Sequence, residues 1–378
     1  LRHKSNLKEL KDKNKKRILK ILINNGPLSR TELSQYTGLS MTAISDLVEE
    51  LLNEKMIKES GIGQSNGGRR PIMLEINSGN GYIATFKIFK DNLTCILFDF
   101  NLNKRDEKII KFNYYDLPFL QGIIVNFTND IEKDLELNNK KIYGIGICLN
   151  DDLKELNFRG VLSTSISSDY MTLSQALSYE LDIPVVVENE IDLKSMAEYL
   201  VLGINENLAY IDLNDEVRSS VILRDGRINN DINIGHMIID RNGPECPEGH
   251  RGCLNTLVTV KALIKKIVAL ERNHINDKEF LSINSVYKFF ENDTINKVTN
   301  DAIDALKVAI LNLKNLLNIK LFVFDGKIAK MFNVADNLQK SFNDVIIKQS
   351  FVSNEDILKA AAKLTINKII LGNCETMR

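Results

Sequence analysis

Cysteine is scarce in these 378 residues: there are five, Cys95, Cys148, Cys246, Cys253 and Cys374. They are too few, too scattered and odd in number for a disulfide framework, and they point to a reducing compartment. No segment approaches the 18 consecutive apolar residues of a membrane span, so none is expected. The Lys-rich start is followed by no apolar stretch of signal-peptide length, and the expected location is the cytoplasm. Net charge is also nearly absent, with 49 Lys and Arg against 50 Asp and Glu. That excludes a uniformly basic nucleic-acid coat.

What is present is ordinary for a folded protein: 44% hydrophobic and 26% charged residues. The length suggests two or three domains at about 150 residues each. The charge is unevenly spread. Residues 1–75 hold 14 of the basic and 9 of the acidic residues, a net of +5, which leaves −6 for the remainder. The basic end is therefore a place to look for a nucleic-acid reader.

Residues 1–16 are polar and basic and read as a frayed arm. Helical periodicity begins near Arg17 with Ile18, Leu19, Ile21 and Leu22, and Gly26-Pro27 ends it. Ser29-x-x-Glu32 is a capping box that opens a short helix running to about Thr37. Gly38 supplies the turn and Ser40 caps a third helix, whose apolar face is Ile44, Leu47, Val48, Leu51 and Leu52. Met56–Ser60 and Pro71–Ile76 read as two strands around a glycine-rich tip, Gly61–Gly68.

Three helices with a tight turn between the last two, then a hairpin, make a winged helix-turn-helix over residues 1–76. Its third helix is narrow enough for the DNA major groove. Ser40, Met41, Thr42 and Ser45 lie on the side away from its apolar face, and Arg30 opens the preceding helix. Hydroxyls there can bond bases or phosphates, and the Met41 thioether can meet a thymine methyl. In the wing, residues 61–71, small glycines flank Arg69 and Arg70, a composition suited to the narrow minor groove. A packing hairpin and a solvated linker are the bland readings of the same two segments.

From about Asn77 strands alternate with helices. Strands are expected at Tyr82–Ile88, Leu93–Phe98, Lys108–Phe112, Ile142–Leu149, Val185–Glu188, Leu208–Leu213, Ser219–Leu223 and Leu321–Phe324. Helices are expected over 118–135, 172–181, 191–201, 255–271, 296–317 and 355–370. A βββαβα block occurring twice predicts a two-lobed α/β domain with a cleft between the lobes. The first lobe spans about 77–188 plus the C-terminal helix, and the second about 189–350.

Several motifs now resemble one family. They are the wing G-x-G-x-S-x-G-G-R-R-P, Pro184–Glu190 with Ala197-Glu198, Gly235-His236-Met237, and Cys246–Leu254. Together with the winged head they resemble ROK-family transcriptional repressors, whose relatives without the head are sugar kinases. The resemblance covers nearly the whole chain. It implies an actin-like, ribonuclease-H-like fold for residues 77–378, a double-stranded DNA operator as partner, a homodimer reaching two half-sites, and a sugar or sugar derivative as effector.

The departures from the family are as informative. Kinases of this family carry a D-x-G-G-T-like phosphate loop where this chain has Gly81–Ile88, with neither the Asp nor the glycine pair. Their second phosphate loop is rich in glycine, whereas Leu213–Ser220 has none and holds Asp215 and Glu216. Their catalytic Asp in an Asn-Asp pair is here Glu190, after Asn189; the added methylene displaces the carboxylate by about an ångström, a loss on the order of 100-fold in rate. Glutamates expected around the Gly-His pair and after Gly-Cys-Leu are Asn233 and Asn255. The expectation is a regulator without kinase activity and with no catalytic residues. Its altered ligand site would be built from Asn189, Glu190, Asn233, His236 and Asn255. A regulator answering to a non-sugar ligand or to a protein partner is the second reading.

The family's repressors also hold a structural zinc ion through one His and three Cys. His236, Cys246 and Cys253 match three of those positions, and the middle Cys is Glu248. A carboxylate can join sulfur and imidazole on zinc, so Glu248 is the expected fourth ligand, with His250 two residues on as its rival.

Overall fold

The computed structural model describes residues 2–63, 70–89, 91–113, 116–136, 140–149, 166–224, 226–229, 232–270 and 292–370. The chain divides into two units, Leu1–Glu190 with Leu358–Arg378, and Ile191–Ile357.

The first unit opens with α1 (Arg2–Asn25), β1 (Leu28–Ser29), α2 (Arg30–Thr37), α3 (Met41–Asn53), β2 (Ile57–Ile62) and β3 (Ile72–Ile76). The capping box is formed in full: Ser29 Oγ accepts from the Glu32 amide, and the Glu32 carboxylate accepts from the Ser29 amide at 2.8 Å. Gly38, at φ 68°, ends α2 with its amide on the Ser34 carbonyl, a left-handed turn that costs glycine little. Ile18, Leu22, Leu33, Ile44, Val48 and Leu74 bury together as a small core. The wing strands pair antiparallel, and β1 joins them in the order β1-β3-β2.

One expectation fails here. Residues 2–16 are not a frayed arm but the first half of α1. This stretch has no apolar stripe to announce it. Within it, Lys15 stands 2.7 Å from Glu50 of α3 and 2.6 Å from Glu54, which caps its end, and Lys11 also pairs with Glu50.

The remainder of the first unit is β4 (Gly81–Ile88), β5 (Asn92–Asp99), β6 (Lys104–Lys111), α4 (Leu117–Glu136), β7 (Lys141–Leu149), α5 (Ile166–Leu181), β8 (Val185–Asn189) and the start of α6 (Glu190–Leu202). The sheet order is β6-β5-β4-β7-β8, antiparallel among the first three strands and parallel from β4 to β8.

The second unit repeats this plan with β9 (Leu208–Leu213), β10 (Val217–Ile222), β11 (Ile228–Asn229), α7 (Asn255–Val258), α8 (Val260–Leu270), α9 (Asn292–Leu317), β12 (Leu321–Asp325), α10 (Lys327–Met331), α11 (Val334–Gln339) and β13 (Ile346–Gln349). Its order, β11-β10-β9-β12-β13, has the same antiparallel and parallel pairs. This duplicated sheet is the expected actin-like, ribonuclease-H-like architecture.

Helix α12 (Asn354–Thr365) follows, continued by a wider π-type turn over Ile366–Ile370. Its close approach to β7 is made by two strand glycines. A Cβ at Gly146 would lie 2.7 Å from Thr365 Oγ1 and 3.1 Å from the Ala361 carbonyl, and one at Gly144 would meet Ile369. The expected single helix over 255–271 is broken at Thr259, whose hydroxyl accepts from the Ala262 amide and restarts the chain as α8. No pattern announced β1, β11, β13, α10 or α11.

Candidate functional site

The head presents the face that a DNA reader needs. Met41 and Thr42 point outward at the start of α3, and Met41 is 46% exposed. Ser40 is engaged as the cap, its Oγ accepting from the Ala43 amide at 3.3 Å. The Ser45 hydroxyl donates to the Met41 carbonyl at 2.9 Å and keeps lone pairs for a further donor. Arg30 is half-buried at the start of α2, and Arg70 is exposed beside the wing. Arg69 lies outside the described residues, as does most of the wing tip.

In the first unit, the segment Gly81–Ile88 is a fully buried strand. Its one charge, Lys87, is 2% exposed and donates from Nζ to Glu190 Oε1 at 2.8 Å. Asn189 ends β8 and Glu190 opens α6, so the pair sits where a strand hands over to a helix. The sequence reading overlooked Lys87. A lone lysine in an otherwise apolar strand was the available signal.

In the second unit, the segment without glycine, Leu213–Ser220, forms the hairpin between β9 and β10. Asp212, 1% exposed, accepts from Arg218 Nη2 at 2.8 Å and from Asn214 Nδ2 at 2.6 Å. Burial lowers the Arg218 pKa from its ordinary value. Asp325 is the register partner of Asp212 at the end of the parallel strand β12. It accepts from Tyr210 at 2.9 Å and pairs with Lys194 at 3.4 Å and Lys330 at 3.0 Å. Burial opposes its charge, yet the Gly326 amide, the two lysines and the tyrosine together hold the carboxyl below its usual range. None of this network was singled out from the sequence, because its members come from five separate segments.

Asn233 is exposed just before a single 3-10 turn, Ile234–His236. Asn255 has its Oδ1 committed to the Val217 amide at 2.8 Å. A Cβ at Gly235 would strike that amide group at 2.7 Å, so only glycine admits the contact. Asn233, His236 and Asn255 thus belong to the second unit, and Asn189 and Glu190 to the first.

The loop after His236 folds back on itself. Ile238 bridges to Cys253 and Glu245 to Arg251, while the Cys246 amide bonds the His250 carbonyl at 2.7 Å. Gly252, at φ 66°, passes so close to Asp240 that no side chain fits. The result gathers four donor atoms, from His236, Cys246, His250 and Cys253, all within 4.8 Å of one another. Both thiols are buried and free of disulfides. Two imidazoles and two thiols suit zinc, and four donors close a tetrahedral site of the structural kind. Glu248, the expected fourth ligand, is outside this group. Its Oε1 lies 3.3 Å from His236 Nε2 and its Oε2 4.0 Å from His250 Nδ1.

A winged head followed by a duplicated five-stranded sheet defines a DNA-binding protein built on a sugar-kinase-like body. The ROK family model matches residues 90–373, and a winged helix-turn-helix DNA-binding model matches residues 11–58. The chain belongs to the ROK family. It is 27% identical over 349 residues to the xylose repressor of Bacillus subtilis (strain 168), covering 88% of this chain and 86% of that protein. Its fold matches a ROK family transcriptional regulator described as a homolog of the E. coli MLC protein, with TM-score 0.69 and 19% identity over 96% of this chain and 98% of that one. It also matches a ROK hexokinase from Thermus thermophilus, with TM-score 0.58 and 15% identity over 76% of this chain and 99% of the enzyme. Among the described residues no helix is long and apolar enough to cross a membrane.

Proposed function

We propose that the protein is a cytoplasmic transcriptional repressor of sugar-related genes that binds double-stranded operator DNA as a homodimer and has no kinase activity. The observation that carries this is the capped α2–turn–α3 unit, which leaves Met41 and Thr42 exposed at the start of α3, with Arg70 also exposed in the following hairpin. The relative named for xylose repression supports the choice of genes. Residues 1–76 form the DNA-binding domain. Thr42, Ser45 and Met41 read base edges, Arg30 and Ser40 contact the backbone, and Arg69 and Arg70 enter the minor groove.

The body, residues 77–378, senses a sugar or a sugar derivative, with Asn189 and Glu190 in the first unit and Asn233 and Asn255 in the second as the candidate ligand residues. It does not transfer phosphate, because the positions that meet phosphate in the kinases are taken by internal pairs. Lys87 neutralises Glu190, and Arg218 is held by Asp212. A zinc ion braces the loop that leads to Asn255 and is held in part by His236, Cys246 and Cys253.

The test is a gel shift with the fragment upstream of the protein's own gene. Binding in the 10⁻⁸–10⁻¹¹ M range is expected near physiological salt, as for specific regulators. Release of that fragment by one sugar in a panel identifies the effector. Binding that no sugar alters favours a non-sugar ligand or a protein partner. Sugar-dependent ATP turnover above background would overturn the non-kinase assignment.

A further inference from the structure

We infer that His250, not Glu248, is the fourth ligand of the metal loop, and that Glu248 acts on the metal only through His236. The inference rests on the zinc reading above. It begins from a spacing problem. Glu248 and His250 are two residues apart in one turn, and either can donate to a metal.

The backbone separates them. Gly249, at φ 82°, reverses the chain between the two, with its own amide on the Cys246 carbonyl at 2.9 Å. The Cys246 amide then ties to the His250 carbonyl, which closes the knuckle. Past this reversal a ring nitrogen of His250 joins the group of Cys246 and Cys253 sulfurs and His236 nitrogen. Glu248 and His250 are similarly exposed, at 57% and 53%, but no Glu248 oxygen belongs to that group; its carboxylate lies against the two rings, 3.3 Å from His236 Nε2 and 4.0 Å from His250 Nδ1.

The orientation of His236 fits that division. Its Nδ1 faces Cys246, with sulfur 4.0 Å away, and its Nε2 faces the Glu248 carboxylate at 3.3 Å. A carboxylate accepting from Nε2–H places the ring proton there and leaves the Nδ1 lone pair on the side of the thiols. This is the carboxylate–histidine–metal relay, in which the outer acid fixes the tautomer and raises the basicity of the ligand. The site is therefore two imidazoles and two thiolates, with one acid outside it.

The experiment measures zinc bound by the full chain purified without chelator, and by variants challenged with a competing chelator. The wild type is expected to hold close to one zinc ion per chain. His250→Gln and Cys246→Ser are expected to lose it together. Glu248→Gln keeps an acceptor for Nε2–H and is expected to retain zinc within about tenfold of wild type, while Glu248→Ala weakens it by about 10–100-fold. Zinc X-ray absorption of the unmutated protein gives a readout independent of the variants. Two sulfurs with two imidazoles are expected, and one imidazole with a carboxylate oxygen overturns the assignment. Loss of zinc from Glu248→Gln to the extent seen in Cys246→Ser overturns it as well, and leaves the zinc reading standing. A wild type that holds no zinc removes both.

Discussion

The ammonium of Lys87 stands 2.8 Å from the Glu190 carboxylate, with side-chain exposures of 3% and 12%. The two residues are 103 positions apart in the chain. The pair binds a buried cation in β4 to the carboxylate that opens α6, and the Phe89 ring lies 5.0 Å from the same ammonium. The pair places opposite charges at the junction where β8 hands over to α6.

Removing one partner is expected to be costly because the other charge stays behind in a low-dielectric site. Lys87→Met should destabilise the protein by about 3–5 kcal/mol, and the double variant Lys87→Met/Glu190→Leu should lie nearer to wild type than either single variant. Urea denaturation of the three variants checks this. A Lys87→Met variant as stable as wild type contradicts it.

The head depends on the cap of α2. Ser29→Ala should cost about 0.5–2 kcal/mol, read from melting of the head. The backbone amide and hydroxyl of Ser29 hold the Glu32 pKa below its ordinary value of 4.5. An acid with a depressed folded pKa contributes stability above its unfolded pKa. That contribution disappears as pH falls through the depressed value. The Ser29→Ala penalty should therefore shrink in acid, below about pH 4.5.

Arg70→Ala should weaken operator binding by about 1–3 kcal/mol and lower the salt slope by about one unit. Arg70 is exposed, so the melting temperature should stay unchanged. Titrations at two salt concentrations measure both effects. Unaltered affinity removes Arg70 from the interface.

Glu198 is 6% exposed in the second unit, and burial raises its pKa above 4.5, with Ser350 and the Phe351 amide opposing. An acid with a raised folded pKa holds its proton more tightly in the folded state. Its stabilising effect is full below the unfolded value and declines as pH rises toward the folded one. Glu198→Gln removes that decline. The variant should gain stability relative to wild type between pH 4 and pH 7, roughly across the Glu range, as thermal melts at the two pH values would record.

The sequence by itself determined the elements whose causes are local. The capping box at Ser29 and Glu32, the turn at Gly38 and the apolar stripe of α3 each lie within one or two helical turns, so spacing alone reveals them. The alternating strands of the body and its duplicated order were legible for the same reason. The loop of His236, Cys246 and Cys253 was legible only through its resemblance to the family motif, since their spacing alone is a weak signal.

Tertiary structure decided whatever depends on residues far apart in the chain. The helix over residues 2–16 has no apolar face to declare it, and its Lys11 and Lys15 pair with Glu50 and Glu54, which no local pattern encodes. Lys87 met Glu190 across the parallel strands of the first sheet, and Asp325 met Tyr210 of the neighbouring parallel strand and Lys194 of α6, only in the folded chain. Gly249, in the left-handed region, reverses the chain between Glu248 and His250, two residues that spacing alone leaves equivalent. Spacing names the residues that can reach a site, and the direction of the backbone at that point decides which of them does.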